Sequence, residues 1–223
     1  MPDALPPRRN RSLLLSLGAL AGPFYLVVGL AQALTREGFD LRRHALSVLS
    51  NGEFGWIQTL NFLVSGGLVV AGAIGCRAAI RSQPGGTWGP ILLFCYGVGL
   101  LGAGLFPADP APGFPPGTEP ADRLSACGTL HFVFGALGFY ALIAACFVFA
   151  RRFHRRNDDG LFWASMVTGV GFFASFAAIA SGSTSPLVMI GFYVAVAWIW
   201  MWHTVTLLHI ARNPSMPSPA SSD

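Results

Sequence analysis

The chain alternates between long apolar runs and short polar connections. Six runs stand out: Ser12 to Leu34, Ile57 to Ile80, Trp88 to Phe106, Ala126 to Ala150, Leu161 to Ala180 and Pro186 to Ile210. A hydrocarbon core of about 30 Å needs about 20 helical residues to cross it, and each run reaches that length. The pattern therefore predicts an all-α integral membrane protein, a bundle of six transmembrane helices. The runs hold 136 of the 223 residues, which leaves no connection long enough for a soluble domain. One membrane domain, residues 12–210, is expected between a cytoplasmic N-terminal segment, residues 1–11, and a tail, residues 211–223, whose Pro/Ser-rich sequence reads as disordered.

Composition sharpens this picture. Hydrophobic residues make up 53% and charged residues 11%, against about 25% charged in soluble domains, which excludes both a soluble globular enzyme and a disordered chain. The net charge of +4 comes from arginine alone, with no lysine. These arginines flank the apolar runs, where topology signals sit, so no nucleic-acid partner is implied. With the N-terminus inside, ten of them (8, 9, 11, 77, 81, 151, 152, 155, 156 and 212) fall on the cytoplasmic side and four (36, 42, 43 and 123) outside. That bias predicts N-in/C-in multipass insertion in the cell inner membrane of a bacterium. The run Arg151-Arg152-Phe153-His154-Arg155-Arg156 reads as the strongest topology anchor, in contact with anionic lipid. Arg8-Arg9-Asn10-Arg11 before the first run imitates a signal peptide, but the apolar stretch exceeds the usual 7 to 15 residues and is read as a helix. Cys76, Cys95, Cys127 and Cys146 lie singly, without the pairing of a zinc or disulfide framework.

The polar residues expensive in a membrane gather on the outer side. Gln58, Asn61 and Ser65 share one face of the second helix and are expected to point into the bundle, as interhelical glue or as the wall of a polar pocket. The loop from Phe106 to Pro120 holds six prolines and cannot be helical; Asp109 within it reads as a turn-former or as a pocket acid or base. His131 lies near the outer end of the fourth helix with Gly135 and Gly138 on its face, glycines read as marking close helix approach. His44, Asp109 and His131 share one predicted depth. No spacing such as H-E-x-x-H supports a metal there, and no cofactor is indicated. His203 and His209 diverge on the sixth helix and read as inner interfacial residues, His203 within an aromatic belt with Trp198, Trp200 and Trp202. Small residues at packing spacings (Gly67, Ala71 and Gly75; Gly99 and Ala103; Ala174 and Ala178) predict a tight bundle. The spans carry no mid-depth Asp, Glu or Lys, which removes the usual signature of an ion-coupled carrier.

The run His44-Ala45-Leu46-Ser47-Val48-Leu49-Ser50-Asn51-Gly52, then Gly55-Trp56-Ile57-Gln58 with Asn61-Phe62 and Gly66-Gly67, then Phe106 with Asp109-Pro110, and finally His131, resembles the bacterial and archaeal membrane family catalogued as the domain of unknown function numbered nine hundred and ninety-eight. The resemblance covers nearly the whole chain and implies a six-helix membrane protein. It brings no activity, and marks His44, Ser47, Trp56, Gln58, Asn61, Asp109 and His131 as candidate site residues.

The reading favoured by these residues is a membrane enzyme or binding protein for an isoprenoid or other lipid-like substrate, with membrane lipid as its surroundings. Asp109 would be acid or base with His131 and His44 as partners, and Gln58, Asn61, Ser47 and Trp56 would contact substrate. The rival reading is a non-enzymatic small transporter or a structural subunit of a membrane assembly. The arginine bias makes a direct prediction. Reporter fusions after Arg81, Arg156 and Arg212 are expected to read cytoplasmic and a fusion within the Pro107 to Pro120 loop external; an external Arg156 fusion overturns the topology.

Overall fold

Six helices form where the apolar runs predict them. A computed structural model describes residues 8–120 and 123–213, and among these the elements are α1 (Arg8–Thr35), a 3-10 helix (Leu46–Ser50), α2 (Gly55–Ile80), α3 (Trp88–Leu105), α4 (Ala126–His154), α5 (Asp159–Ala180) and α6 (Pro186–Arg212). All six α-helices are long and apolar enough to cross a membrane. α1 starts at Arg8 and α6 continues to Arg212, slightly beyond the apolar runs. Residues 1–7 of the N-terminal segment and residues 214–223 of the expected tail lie outside the described residues. Helix starts carry local signals. The Ser125 hydroxyl accepts from Gly128 N–H at α4, the Asp158 carboxylate from Leu161 N–H at α5, and Pro186 occupies the first turn of α6, where no N–H donor is needed.

Each helix packs on its chain neighbours, and α6 returns to α1, closing a ring. Glycine sets the tightest crossings. A Cβ added at Gly18 on α1 would stand 2.4 Å from the Gly72 Cα on α2, and one at Gly99 on α3 would stand 2.8 Å from the Gly138 Cα on α4. Backbones meet there directly, the association mode expected where no hydrophobic drive acts between helices in lipid. Two glycines of the expected packing set behave otherwise. Cβ atoms at Gly67 and Gly135 would meet nothing within 4 Å, so neither marks a close approach.

Polar bonds set the remaining registers. Pro23 inside α1 has no N–H, which deprives the Ala19 carbonyl of its helical donor; the Thr204 hydroxyl of α6 donates to that oxygen at 2.9 Å. Trp198 Nε1 donates to Thr168 Oγ1 at 2.9 Å and Trp202 Nε1 to Ser165 Oγ at 2.8 Å, tying α6 to α5. The expected aromatic belt on α6 is therefore mostly core. Trp200, Trp202 and His203 are buried, and only Trp198 is half-exposed. The basic run is divided as well. Arg151, Arg155 and Arg156 are exposed, whereas Arg152 is buried and donates to Pro84 O at 3.0 Å and Gln83 Oε1 at 2.5 Å, holding the α2–α3 turn against α4.

Thr204→Val is expected to lower stability in detergent by about 1 kcal/mol, the usual net worth of one hydrogen bond. In a Pro23→Ala background, where residue 23 regains its N–H, the same change is expected to cost clearly less. A double-mutant cycle of thermal unfolding checks this, and equal costs in both backgrounds would show that the Ala19 carbonyl does not need Thr204.

Candidate functional site

Two loops, residues 36–54 and 106–120, meet over one end of the bundle and form a cap. Irregular backbone this close to hydrocarbon needs donors for its carbonyls, and the polar side chains of the first loop supply them. The Arg36 guanidinium donates to Leu49 O at 2.5 Å and Asn51 O at 2.6 Å, and lies 4.8 Å from the centroid of the buried Phe114 ring. Partial desolvation lowers the pKa of this guanidinium from its ordinary value. Asn51 Nδ2 donates to Val48 O at 3.0 Å and to Ala108 O at 2.9 Å across the two loops.

His44 is a clasp within this cap. Its Nδ1 accepts from Asp40 N–H at 3.0 Å, which places the ring proton on Nε2, and Nε2 donates to Pro112 O at 3.0 Å. Both nitrogens are thus engaged, and the ring packs against Phe39 and Phe114. The His44 carbonyl in turn accepts from the Tyr193 hydroxyl of α6 at 2.6 Å, fastening the cap to the bundle.

Asp109 holds the start of α4. Its carboxylate accepts from the Ser125 N–H at 2.7 Å and from the Ser125 hydroxyl, and a Cβ at Gly128 would come within 2.1 Å of Asp109 Oδ2. The loop can dock there because residue 128 has no side chain. A negative charge at a helix N-terminus is also favoured by the helix dipole.

His131 lies one turn further along α4 and reaches the end of α3. Its Nδ1 is 2.9 Å from both Ala103 O and Phe106 O. Ala103 O has lost its helical donor because residue 107 is proline. Two carbonyl partners place the proton on Nδ1, leaving the Nε2 lone pair without a hydrogen bond among the described residues. A carbonyl that fixes the tautomer in this way is the usual arrangement behind a histidine that accepts a proton or a ligand.

His131 lines a cavity of about 160 Å³ beneath the cap, bounded by the 3-10 helix and all six α-helices. Its walls are chiefly aromatic: Tyr25, Phe62, Tyr96, Phe139, Phe172, Phe176, Phe192, Tyr193 and Trp200, with Gly135 and Ser47 also in the lining. The structure thus brings Ser47 and His131 to one space and leaves the other expected site residues elsewhere. His44 and Asp109 belong to the cap and its anchor. Gln58 and Asn61 are fully buried in a network behind the wall: Gln32 Nε2 donates to Gln58 Oε1 at 2.9 Å, and Asn61 Nδ2 to Gln58 Oε1 at 3.2 Å and Tyr25 O at 3.1 Å. Trp56 is 59% exposed and faces outward. Among the described residues no group of three His, Cys, Asp or Glu side chains comes together to hold a metal.

Sequence reasoning passed over the tyrosines. Of four in the chain, three line the cavity, and a phenol placed in an apolar span was the available signal.

Residues 19–209 match the family described as "Protein of unknown function (DUF998)". The chain belongs to the DUF998 family. The match runs from α1 to α6, so both cap and cavity lie within the family's extent. No curated protein and no solved structure matches the chain.

Arg36→Met keeps the length of the side chain and removes its donors to two carbonyls. Amide exchange is expected to accelerate across residues 37–53 and 107–119 while α2 and α3 keep their protection, with a loss of roughly 1 to 3 kcal/mol for charged hydrogen bonds. Unchanged exchange in those loops would show that Arg36 does not hold the cap.

Proposed function

We propose that this multipass membrane protein takes up an amphipathic, lipid-like molecule of isoprenoid or similar character, with its head in the aromatic cavity near His131 and Ser47 and its apolar tail leading out between the helices toward the bilayer. The observation that carries this reading is His131 itself: a histidine of fixed tautomer, with one nitrogen free to accept, lining a cavity whose walls are chiefly aromatic. Such pockets, apolar with few placed polar groups, are the usual form of small-molecule sites. Access from the bilayer is supported by Phe132, which lines the cavity and is also 51% exposed on the outside of α4.

Any proton transfer in this cavity falls to His131, whose free Nε2 can accept a proton from a bound hydroxyl. Asp109 and His44 then act at a distance, by holding α4 and the cap in place. In the N-in/C-in orientation argued from the arginines, the cap is external and the cavity opens in the outer half of the inner membrane.

Native mass spectrometry of detergent-purified protein tests the reading. The wild type is expected to carry a lipid-sized adduct. Gly135→Leu is expected to lose it while melting near the wild-type temperature, since a Cβ at residue 135 meets nothing within 4 Å and the added atoms enter the void. A wild type without adduct, or a variant that keeps it, would remove the proposal.

A further inference from the structure

We infer that the bound molecule is a prenyl-tailed quinol whose six-membered ring occupies the cavity. This rests on the reading above and names its ligand. The first argument is size. A cavity of about 160 Å³ is close to the engineered cavity of about 150 Å³ that admits benzene, so it holds one ring and not a coiled acyl chain.

The second argument is the distribution of unspent polar atoms. Tyr25 and Tyr96 are 8% and 2% exposed, yet neither hydroxyl has a hydrogen-bond partner among the described residues, and neither is sealed inside the core. Both open on the cavity. Their rings pack against the same Trp200, with centroids 5.3 Å and 5.4 Å away. Phe62 packs against both His131 and Tyr25, with ring centroids 5.7 Å and 5.8 Å away. A ligand matching this layout carries a hydroxyl that donates to His131 Nε2 and, across one ring, an oxygen that accepts from a tyrosine. A quinol has oxygens at opposite ends of one ring, each able to donate and accept. A fatty acid or a simple prenol has a single polar end and leaves the tyrosine hydroxyls bare, at the cost of unpaired groups in an apolar site. The tail leaves past Phe132, where the cavity meets the outer surface of α4.

The test uses the full chain in detergent, anaerobic ubiquinol with a one-isoprene tail as the probe, and a ring-free prenol as the competitor, with binding read by tryptophan fluorescence quenching. The quinol is expected to bind at one per chain and to resist displacement by the prenol. Tyr96→Phe and Tyr25→Phe, which remove only the hydroxyl, are each expected to weaken binding by up to about tenfold with no change in melting temperature, while Tyr140→Phe, outside the cavity, leaves it unchanged. Equal displacement by the prenol, or unaltered affinity in the Tyr25→Phe/Tyr96→Phe double variant, overturns the assignment. Failure of the quinol to bind protein that still carries a lipid-sized adduct overturns the quinol alone, whereas absence of any adduct removes the cavity reading beneath it.

Discussion

Each proline in a membrane helix leaves a carbonyl one turn earlier without its donor, and in hydrocarbon no water replaces it. Three such carbonyls, two set by prolines within α1 and α3 and one by a proline just past the end of α3, are each met by a side chain. Pro23 orphans Ala19 O, which takes Thr204 from α6. Pro90 orphans Gly86 O, which takes Arg77 Nη1 at 2.6 Å from α2. Pro107 orphans Ala103 O, which takes His131 from α4. An unpaired carbonyl costs roughly 1 to 3 kcal/mol in such surroundings, enough to make each pairing a condition of assembly. Together they fix α1 to α6, α2 to the start of α3, and α3 to α4.

This requirement decides which polar residues remain available for a ligand. His44, Asn51 and Arg36 satisfy loop carbonyls, and Asp109 satisfies the first turn of α4. They resemble catalytic groups in sequence because the same donors and acceptors serve both ends. His131 differs in that only one of its two ring nitrogens is engaged. The bond that repairs α3 also sets the tautomer, so the second nitrogen faces outward as an acceptor without further machinery.

The helical repeat reveals which residues share a face but not what that face meets. Apolar run length sufficed for the six helices, and the repeat placed Gln58, Asn61 and Ser65 together on a buried face. It could not show that this face pairs with Gln32 and the Tyr25 carbonyl of α1, or that Arg152 would turn inward while its three neighbouring arginines stay exposed. The orphaned carbonyls were legible, since a proline names its own. Their donors were not: Ala19 and Thr204 are 185 positions apart, and nothing local pairs them. The tyrosines were missed for the same reason, each lying alone on a different helix until the ring closes around Trp200.

Gly135 and Gly138 show how α4 closes on α3 and borders the cavity at the same time. One turn apart on α4, they have opposite surroundings: Gly138 sits against the α3 backbone, its added Cβ 3.3 Å from Gly99 Cα, whereas Gly135 faces open space. Any larger residue at 135 would enter the void without strain and would suit a helix better by up to about 1 kcal/mol. It would also fill part of the cavity of about 160 Å³ and bury more apolar surface. The sequence thus forgoes stability twice at one position, once in helix propensity and once in unfilled volume, while the Tyr25 and Tyr96 hydroxyls add two unpaired donors to the same walls. In the proposed reading a bound ring would fill the volume, supply an oxygen to the phenols and offer a proton to His131.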